Sequence, residues 1–212
     1  MTNLPVIDPV SELRRRMRSL RAGLSKSAQT AAARSLARRF AQIPELRFAR
    51  RIAGYLAVRG EIDPADILRR ARRRGARVAL PSVLGPQHMA FFWDSAERPA
   101  RTNRFGIREP VPTSRNRCRL SALSVVLLPA LACDPRGSRI GTGGGFYDRA
   151  LGSRCGAGAQ ASRPLLVAVV HDFQIVDRIE SRPWDVPVDF VLSERRTLDC
   201  RLKRTTARQE IH

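Results

Sequence analysis

Residues 127–151 read LLPALACDPRGSRIGTGGGFYDRAL, and this stretch decides how the rest of the chain is arranged. It begins inside a continuous apolar run, residues 125–128, which suits a strand buried on both faces and ends at Pro129. A polar turn follows, then five glycines between positions 137 and 145 (Gly137, Gly141, Gly143, Gly144, Gly145), then Phe146-Tyr147-Asp148-Arg149, which reads as the start of a helix. Glycine takes up positive φ at little cost and lets a backbone approach a ligand closely. Several such residues in a row can gather N–H groups into an anion-binding concavity. The loop therefore reads as a phosphate cradle, with Arg139 a fixed guanidinium fork and Asp148 a carboxylate able to hold Mg²⁺. It is not a Walker A loop, because no Gly-Lys-Ser/Thr follows the glycines. It is not the dinucleotide fingerprint either, since Phe146 stands where a third glycine is due.

Composition sets the outer bounds. A chain of 212 residues with 43% hydrophobic content can bury one sizeable core. The formal charge of +20 is unusual, and all but two of its 39 cationic side chains are arginine (Lys26 and Lys203 are the lysines). So even a bias reads as coding composition more than a binding surface, although it predicts nonspecific attraction of nucleic acid and steering of anionic substrates. Cys118, Cys133, Cys155 and Cys200 show no metal-ligand spacing and read as free thiols in a reducing cytoplasm. Neither a secretory pattern nor a run of roughly 20 apolar residues is present, so the expectation is a cytoplasmic chain with no membrane partner, a monomer.

The other segments fall around the central strand. Leu13, Met17, Leu20 and Leu24 recur at helical spacing, with Arg14, Arg15, Arg16, Arg18 and Arg21 on the remaining faces. Ser25 or Ser27 caps a second helix running to Phe40. Residues 52–58 read as a buried strand, and Asp63-Pro64 opens a helix that ends at Gly75. Glu61 thus falls in a loop at the carboxyl end of a strand, where open α/β sheets bind ligands. Residues 78–81 and 88–93 read as strands, with Met89 and Phe91 on one side of the latter as core. Residues 111–123 read as a surface connection and 152–163 as a mobile loop. Residues 165–170 form a further buried strand, and His171 at its end is taken as structural.

The central stretch resembles the signature of the 5-formyltetrahydrofolate cyclo-ligase family, P-x-x-x-[FC]-D-x-x-G-x-R-[LI]-G-x-G-x-G-[YF]-Y-D. Pro129, Cys133, Asp134, Gly137, Arg139, Ile140, Gly141, Gly143, Gly145, Phe146, Tyr147 and Asp148 occupy it without a gap. Leu13-Arg14 is similar to the end of the family's Lys-x-x-Leu-Arg helix, with Val10 at the lysine position. Gly60-Glu61-Ile62-Asp63, the Gly106-to-Pro110 segment and the Asp185-to-Ser193 segment match further family motifs. The resemblance implies an enzyme that uses ATP and Mg²⁺ to cyclise 5-formyltetrahydrofolate to 5,10-methenyltetrahydrofolate, releasing ADP and phosphate. It also implies residue roles. Arg139, Tyr147 and Asp148 would be catalytic. Arg14, Arg139, Gly141, Thr142, Gly143, Gly144, Gly145, Phe146 and Tyr147 would hold ATP. Glu61, Met89, Gly144 and Tyr147 would hold the folate, and Asp148 with Asp189 the metal.

Alternating strands and helices with continuous apolar runs argue an α/β fold, a mostly parallel sheet with helices on both faces. The resemblance implies the three-layer version shared with the sugar-phosphate isomerase and CoA-transferase group. The expected organisation is one domain over residues 10–194, an arm over 1–9 and a basic, unstructured tail over 195–212. Nucleic-acid binding is the rival from another class, but it calls for basic residues interleaved with aromatics or a recognisable module, and the arginines here are spread throughout. Isomerase or CoA-transfer chemistry on the same fold rests on an acid–base pair or a covalent glutamate, whereas the glycine cradle favours ATP.

Overall fold

Apolar runs without alternation demand a strand with a core on either side, and the protein supplies two. The structure, a computed structural model, describes residues 8–94, 100–152 and 164–201. Helices come first: α1 (Pro9–Ala22), α2 (Lys26–Gln42) and the single turn α3 (Pro44–Arg47). Asp8 caps α1 by accepting from the N–H groups of Val10 and Ser11, and Ser25, rather than Ser27, caps α2. Then follow β1 (Arg51–Ala53), α4 (Ala65–Arg73), β2 (Arg77–Val83), β3 (Met89–Asp94), the hairpin β4 (Ala100–Thr102) and β5 (Arg108–Pro110), and β6 (Arg117–Cys118). The remainder is β7 (Val125–Pro129), the hairpin β8 (Ala132–Cys133) and β9 (Arg139–Ile140), α5 (Phe146–Leu151), β10 (Leu165–Val169), β11 (Phe190–Leu192) and β12 (Thr197–Asp199).

The main sheet has the order β12-β11-β10-β7-β1-β2-β3-β6. Its five central strands are parallel; β3 and β12 run antiparallel to them, and β6 pairs antiparallel with β3 at one edge. Successive residues of β7 and β10 enter opposite cores. Val125, Leu127, Val167 and Val169 meet Leu36 and Phe40 of α2, Leu46 of α3 and Leu68 of α4. Val126, Leu128, Leu166 and Ala168 meet Leu151 of α5 together with Met89 and Phe91 of β3. Each fully buried aliphatic side chain of this kind contributes about 1.5–3 kcal/mol relative to exposure. The expected mostly parallel sheet with helices on both faces is the observed one. Cys118, Cys133 and Cys200 are buried, and no disulfide joins them.

Several expectations need correction. Residues 52–58 are not all strand: β1 is three residues long, and Gly54 extends it by one N–H, donated to the Ala79 carbonyl. Beyond that point Leu68 of α4 presses on the backbone, so that a Cβ on Gly54 would stand 2.6 Å from Leu68 Cδ1. Asp63 caps α4 from one residue further out than expected, accepting from the Ala65 N–H at 2.9 Å with Pro64 at the cap position. Residues 111–123 are not merely a surface connection, because β6 joins the sheet beside β3 and buries Cys118. The tail is structured as far as it is described. Residues 197–199 pair with β11, and Arg201 anchors them through Asp199 and Glu45. Residues 1–7, 153–163 and 202–212, which hold most of the expected arm, loop and tail, lie outside the described residues.

One glycine of the central stretch is required by packing. Gly137 turns the β8–β9 hairpin at φ +90°, and its carbonyl accepts from the Val188 N–H at 2.9 Å. A Cβ there would stand 2.3 Å from the Val188 carbonyl oxygen, a backbone atom. Gly75, by contrast, has φ +79° with open space around it. Gly137→Ala is therefore expected to cost about 3 kcal/mol or more, and Gly75→Ala only the left-handed penalty of about 1–2 kcal/mol. At roughly 2–4 °C per kcal/mol, thermal denaturation should separate the two variants clearly. Equal melting temperatures would refute the packing account.

Candidate active site

The site is set by connectivity. β1 and β7 are adjacent and parallel, yet β1 leads through α4 to β2 on one side while β7 leads to β10 on the other. The loops at their carboxyl ends therefore part, and in open α/β sheets such a parting is where ligands bind. The loop after β1 carries Glu61. The segment after β7 carries the hairpin, the glycines and α5.

The hairpin presents the glycine loop rigidly. Buried Asp134 accepts from the N–H groups of Arg136, Ser138 and Ile179, at 2.9, 3.0 and 3.0 Å. The Leu131 N–H donates to the Ile140 carbonyl at 2.7 Å. The loop carbonyls are then held from outside by arginines. Arg14 Nε donates to the Gly141 oxygen and Arg18 Nη2 to the Thr142 oxygen, each at 3.1 Å, both from α1. Arg149 of α5 donates through Nη2 to the Gly144 oxygen and through Nε to the Gln87 oxygen, the latter at 2.7 Å. Gly145 takes φ +61° at the start of α5. A Cβ on Gly144 would stand 2.9 Å from the Phe146 ring, which itself meets Phe105 edge-on at 6.2 Å.

Gly141, Gly143, Gly144 and Gly145 line a cavity of about 790 Å³ together with Val10, Arg14, Arg139, Arg149, Arg182 and Trp184. Asp148, Glu180 and Asp185 stand on the same wall. Val10, at the position where a lysine was expected, faces the cavity as an apolar group; Arg182 and Arg149 are the cationic residues there that the sequence did not single out. Arg139 is buried, and its Nη2 donates to Asp148 Oδ1 at 2.6 Å. Its Nε has no partner, and a buried donor left unsatisfied costs about 1–3 kcal/mol. An anion entering the cavity would relieve that cost. The arginine excess and the open glycines fit a polyphosphate.

The two carboxylates expected to share a metal are not on one wall. Asp189 is 4% exposed and its Oδ2 accepts from the Leu166 N–H at 2.9 Å, at the amino end of the parallel strands. Asp185 is the residue of that segment which lines the cavity. The N–H of its neighbour Val186 donates to Asp148 Oδ1 at 3.4 Å, which sets the two chain segments side by side. Among the described residues no cluster of three or more His, Cys, Asp or Glu side chains is assembled for a metal ion.

Glu61 does not line this cavity; it stands in the loop after β1. Its Oε2 accepts from the Val58 N–H at 3.2 Å, and burial pushes its carboxyl above the ordinary value, with that hydrogen bond and Arg21 working against the rise. Tyr147 bridges the two halves: burial chiefly, then the Glu61 charge, push its phenol up, while Arg139 draws it down. Met89 is buried in the core against which Phe146 and Tyr147 rest. His171 is buried and held below its ordinary value by burial, its Nε2 on the Gly60 carbonyl at 3.1 Å. Arg21 was assigned to the outer face of α1 and is instead buried, while Leu20 is exposed. The inward stripe of α1 is Leu13, Met17 and Arg21.

Comparison with known proteins agrees with this geometry. Residues 8–194 match the model of the 5-formyltetrahydrofolate cyclo-ligase family. The 5-formyltetrahydrofolate cyclo-ligase of Haemophilus influenzae is 31% identical over 184 residues, spanning 85% of this chain and 95% of that protein. The enzyme of the same name from Escherichia coli K12 is 32% identical over 180 residues, spanning 84% and 96%. The solution structure of Aquifex aeolicus 5,10-methenyltetrahydrofolate synthetase superposes with a TM-score of 0.76 at 26% identity, covering 91% of this chain and 93% of that one. With the family model matched over residues 8–194 and relatives of that name above 30% identity along most of both chains, the chain belongs to the 5-formyltetrahydrofolate cyclo-ligase family.

Proposed function

We propose that this enzyme uses ATP and Mg²⁺ to cyclise 5-formyltetrahydrofolate to 5,10-methenyltetrahydrofolate. The observation that carries the reading is the buried, unsatisfied Nε of Arg139, a residue that lines a glycine-lined, arginine-rich cavity. The formyl oxygen is a poor leaving group. Transfer of the γ-phosphoryl group of ATP onto it breaks the bond to ADP and makes it a good one. N10 then attacks the formyl carbon, a C–N bond forms, the C–O bond to phosphate breaks, and N10 loses its proton. Such a transfer calls for charge neutralisation and alignment more than for a protein nucleophile.

The chain's residues divide between those tasks. Gly141, Thr142, Gly143, Gly144 and Gly145 with Arg14 and Arg139 bind the phosphates, whose charge develops against fixed donors. Phe146 and Tyr147 close the cavity behind them. Glu61 accepts hydrogen bonds from the pterin's amino and ring N–H groups, with Met89, Gly144 and Tyr147 beside the ring. Mg²⁺ commonly takes one or two carboxylates and completes its shell with phosphate and water. Asp148 and Asp185 suit that role, and the ion when bound would neutralise phosphate charge. Asp189 is better read as a structural carboxylate tied to Leu166.

Incubation with 5-formyltetrahydrofolate should give methenyl absorbance only when ATP and Mg²⁺ are present. Product formation without nucleotide, or none with it, would overturn the proposal. Arg139→Ala should raise the KM for ATP roughly ten- to a hundredfold, the loss of a charge-assisted hydrogen bond worth about 1.5–3 kcal/mol. A larger rise for the folate would contradict the assignment. The two carboxylates of the 185–189 segment should separate by readout. Asp185→Asn should raise the Mg²⁺ concentration needed for half-maximal rate and leave the melting temperature nearly unchanged. Asp189→Ala should instead lower stability by about 1–3 kcal/mol, because the Leu166 N–H loses its acceptor. The reverse pattern would restore Asp189 as the metal residue.

A further inference from the structure

The buried arginine at the end of α1 has no part in phosphate binding, yet it faces the carboxylate assigned to the folate. Arg21 is 3% exposed, its Nη1 lies 3.8 Å from Glu61 Oε1, and its Nε has no hydrogen-bond partner. The Glu61 side chain is itself 10% exposed. Their approach is built into the backbone. Gly60 takes φ +74°, and a Cβ there would stand 2.8 Å from the Arg21 carbonyl oxygen, so only glycine lets this loop rest on the helix end. His171, from the end of β10, pins the same glycine through its carbonyl. The groups facing Glu61 are Arg21 from α1, Arg59 and Tyr55 from its own loop, and Tyr147 from α5. Of the two cations, Arg59 is exposed and screened by solvent, whereas Arg21 is not.

We propose that Arg21 is a positioning residue, which holds Glu61 ionised and oriented so that it can accept hydrogen bonds from the folate. This rests on the assignment of Glu61 to the folate given above. A carboxylate buried without a countercharge takes up a proton, and as an acid it offers a donor where the pterin also offers donors.

The test uses Arg21→Met, which keeps bulk without charge, Arg21→Lys, which keeps the charge, and the double variant Arg21→Met/Glu61→Gln. In Arg21→Met the acid limb of kcat/KM for 5-formyltetrahydrofolate should move up by roughly one to three pH units. The KM for ATP should not change, and Arg21→Lys should keep most of the native profile. A stability readout needs no substrate. The folded-state value of Glu61 already stands above its ordinary one, and with Arg21 gone it rises further, so stability is fully present below the unfolded value and more of it is lost as pH rises through the folded value. Arg21→Met should therefore melt lower, relative to the native chain, at pH 8 than at pH 5.5. The double variant should lose that dependence and fold at both. An unmoved acid limb in folded Arg21→Met, or the same pH-dependent melting in the double variant, would overturn the proposal. So would a double variant that fails to fold where Arg21→Met also fails. Should the native chain form no methenyl product, the function reading falls by itself, and the melting comparison still decides whether the two charges are coupled.

Discussion

The rest of the molecule depends on the pairing of β1 with β7. Ile52 lies beside Val125 and Ala53 beside Val126, in parallel, at the centre of the sheet. The chain reaches β7 only after it has laid down β2, β3 and β6 on the far side of β1, so the two strands send their following loops opposite ways. Nothing in either loop has to be bent to make room for a ligand. The gap follows from strand order, with Glu61 in the loop that follows β1 and the glycine loop in the segment that follows β7. Both strands are buried on both faces, so both loops stand on the least deformable part of the protein.

Much of the arginine excess serves as a set of two-ended fasteners. Arg149 holds Gly144 with one nitrogen and Gln87 with another, and Arg101 likewise joins Glu109 to the Val83 carbonyl. Arg201 joins Asp199 to Glu45, and Arg196 grips Asp172 at both its carboxylate and its carbonyl. A guanidinium presents donors in a rigid fork, which a lysine ammonium does not. Compositional bias and structural use are therefore not alternatives here. An arginine-rich chain fixes loops by pinning carbonyl oxygens, and the glycine loop, pinned at three of them, is the clearest instance.

What was legible in the sequence was local. The glycine loop, its strand and its helix are contiguous, so spacing alone put Arg139 and Asp148 beside the glycines with which they line one cavity. Glu61 was legible because it follows a strand end. The misses all involve partners distant in the chain. Arg21 was read as solvent-facing because hydrophobicity favoured Leu20 for the inward stripe; only the approach of Glu61, 40 positions on, makes a buried guanidinium tolerable. Asp189 and Asp185 carry the same charge in the same motif. The amide of Leu166, on a neighbouring strand, separates them by claiming the one that begins β11. β12 was missed for the same reason, since a charged, aperiodic segment becomes a strand only when an edge is there to receive it.

The buried cysteines give the protein a chemical character that its fold alone does not suggest. Burial lifts the Cys118 thiol to about 11, and the Cys133 thiol is pushed higher still, with the nearby Cys200 adding to burial. Only the thiolate reacts with disulfides, peroxides and alkylating agents. At pH 7 a thiol titrating near 11 is ionised to roughly one part in ten thousand. Cys118 and Cys133 therefore behave as small apolar side chains, with little thiolate to offer an oxidant or alkylating agent. Since Cys133 belongs to the hairpin that carries the glycine loop, that hairpin presents no ready thiolate beside the cavity while the fold is closed.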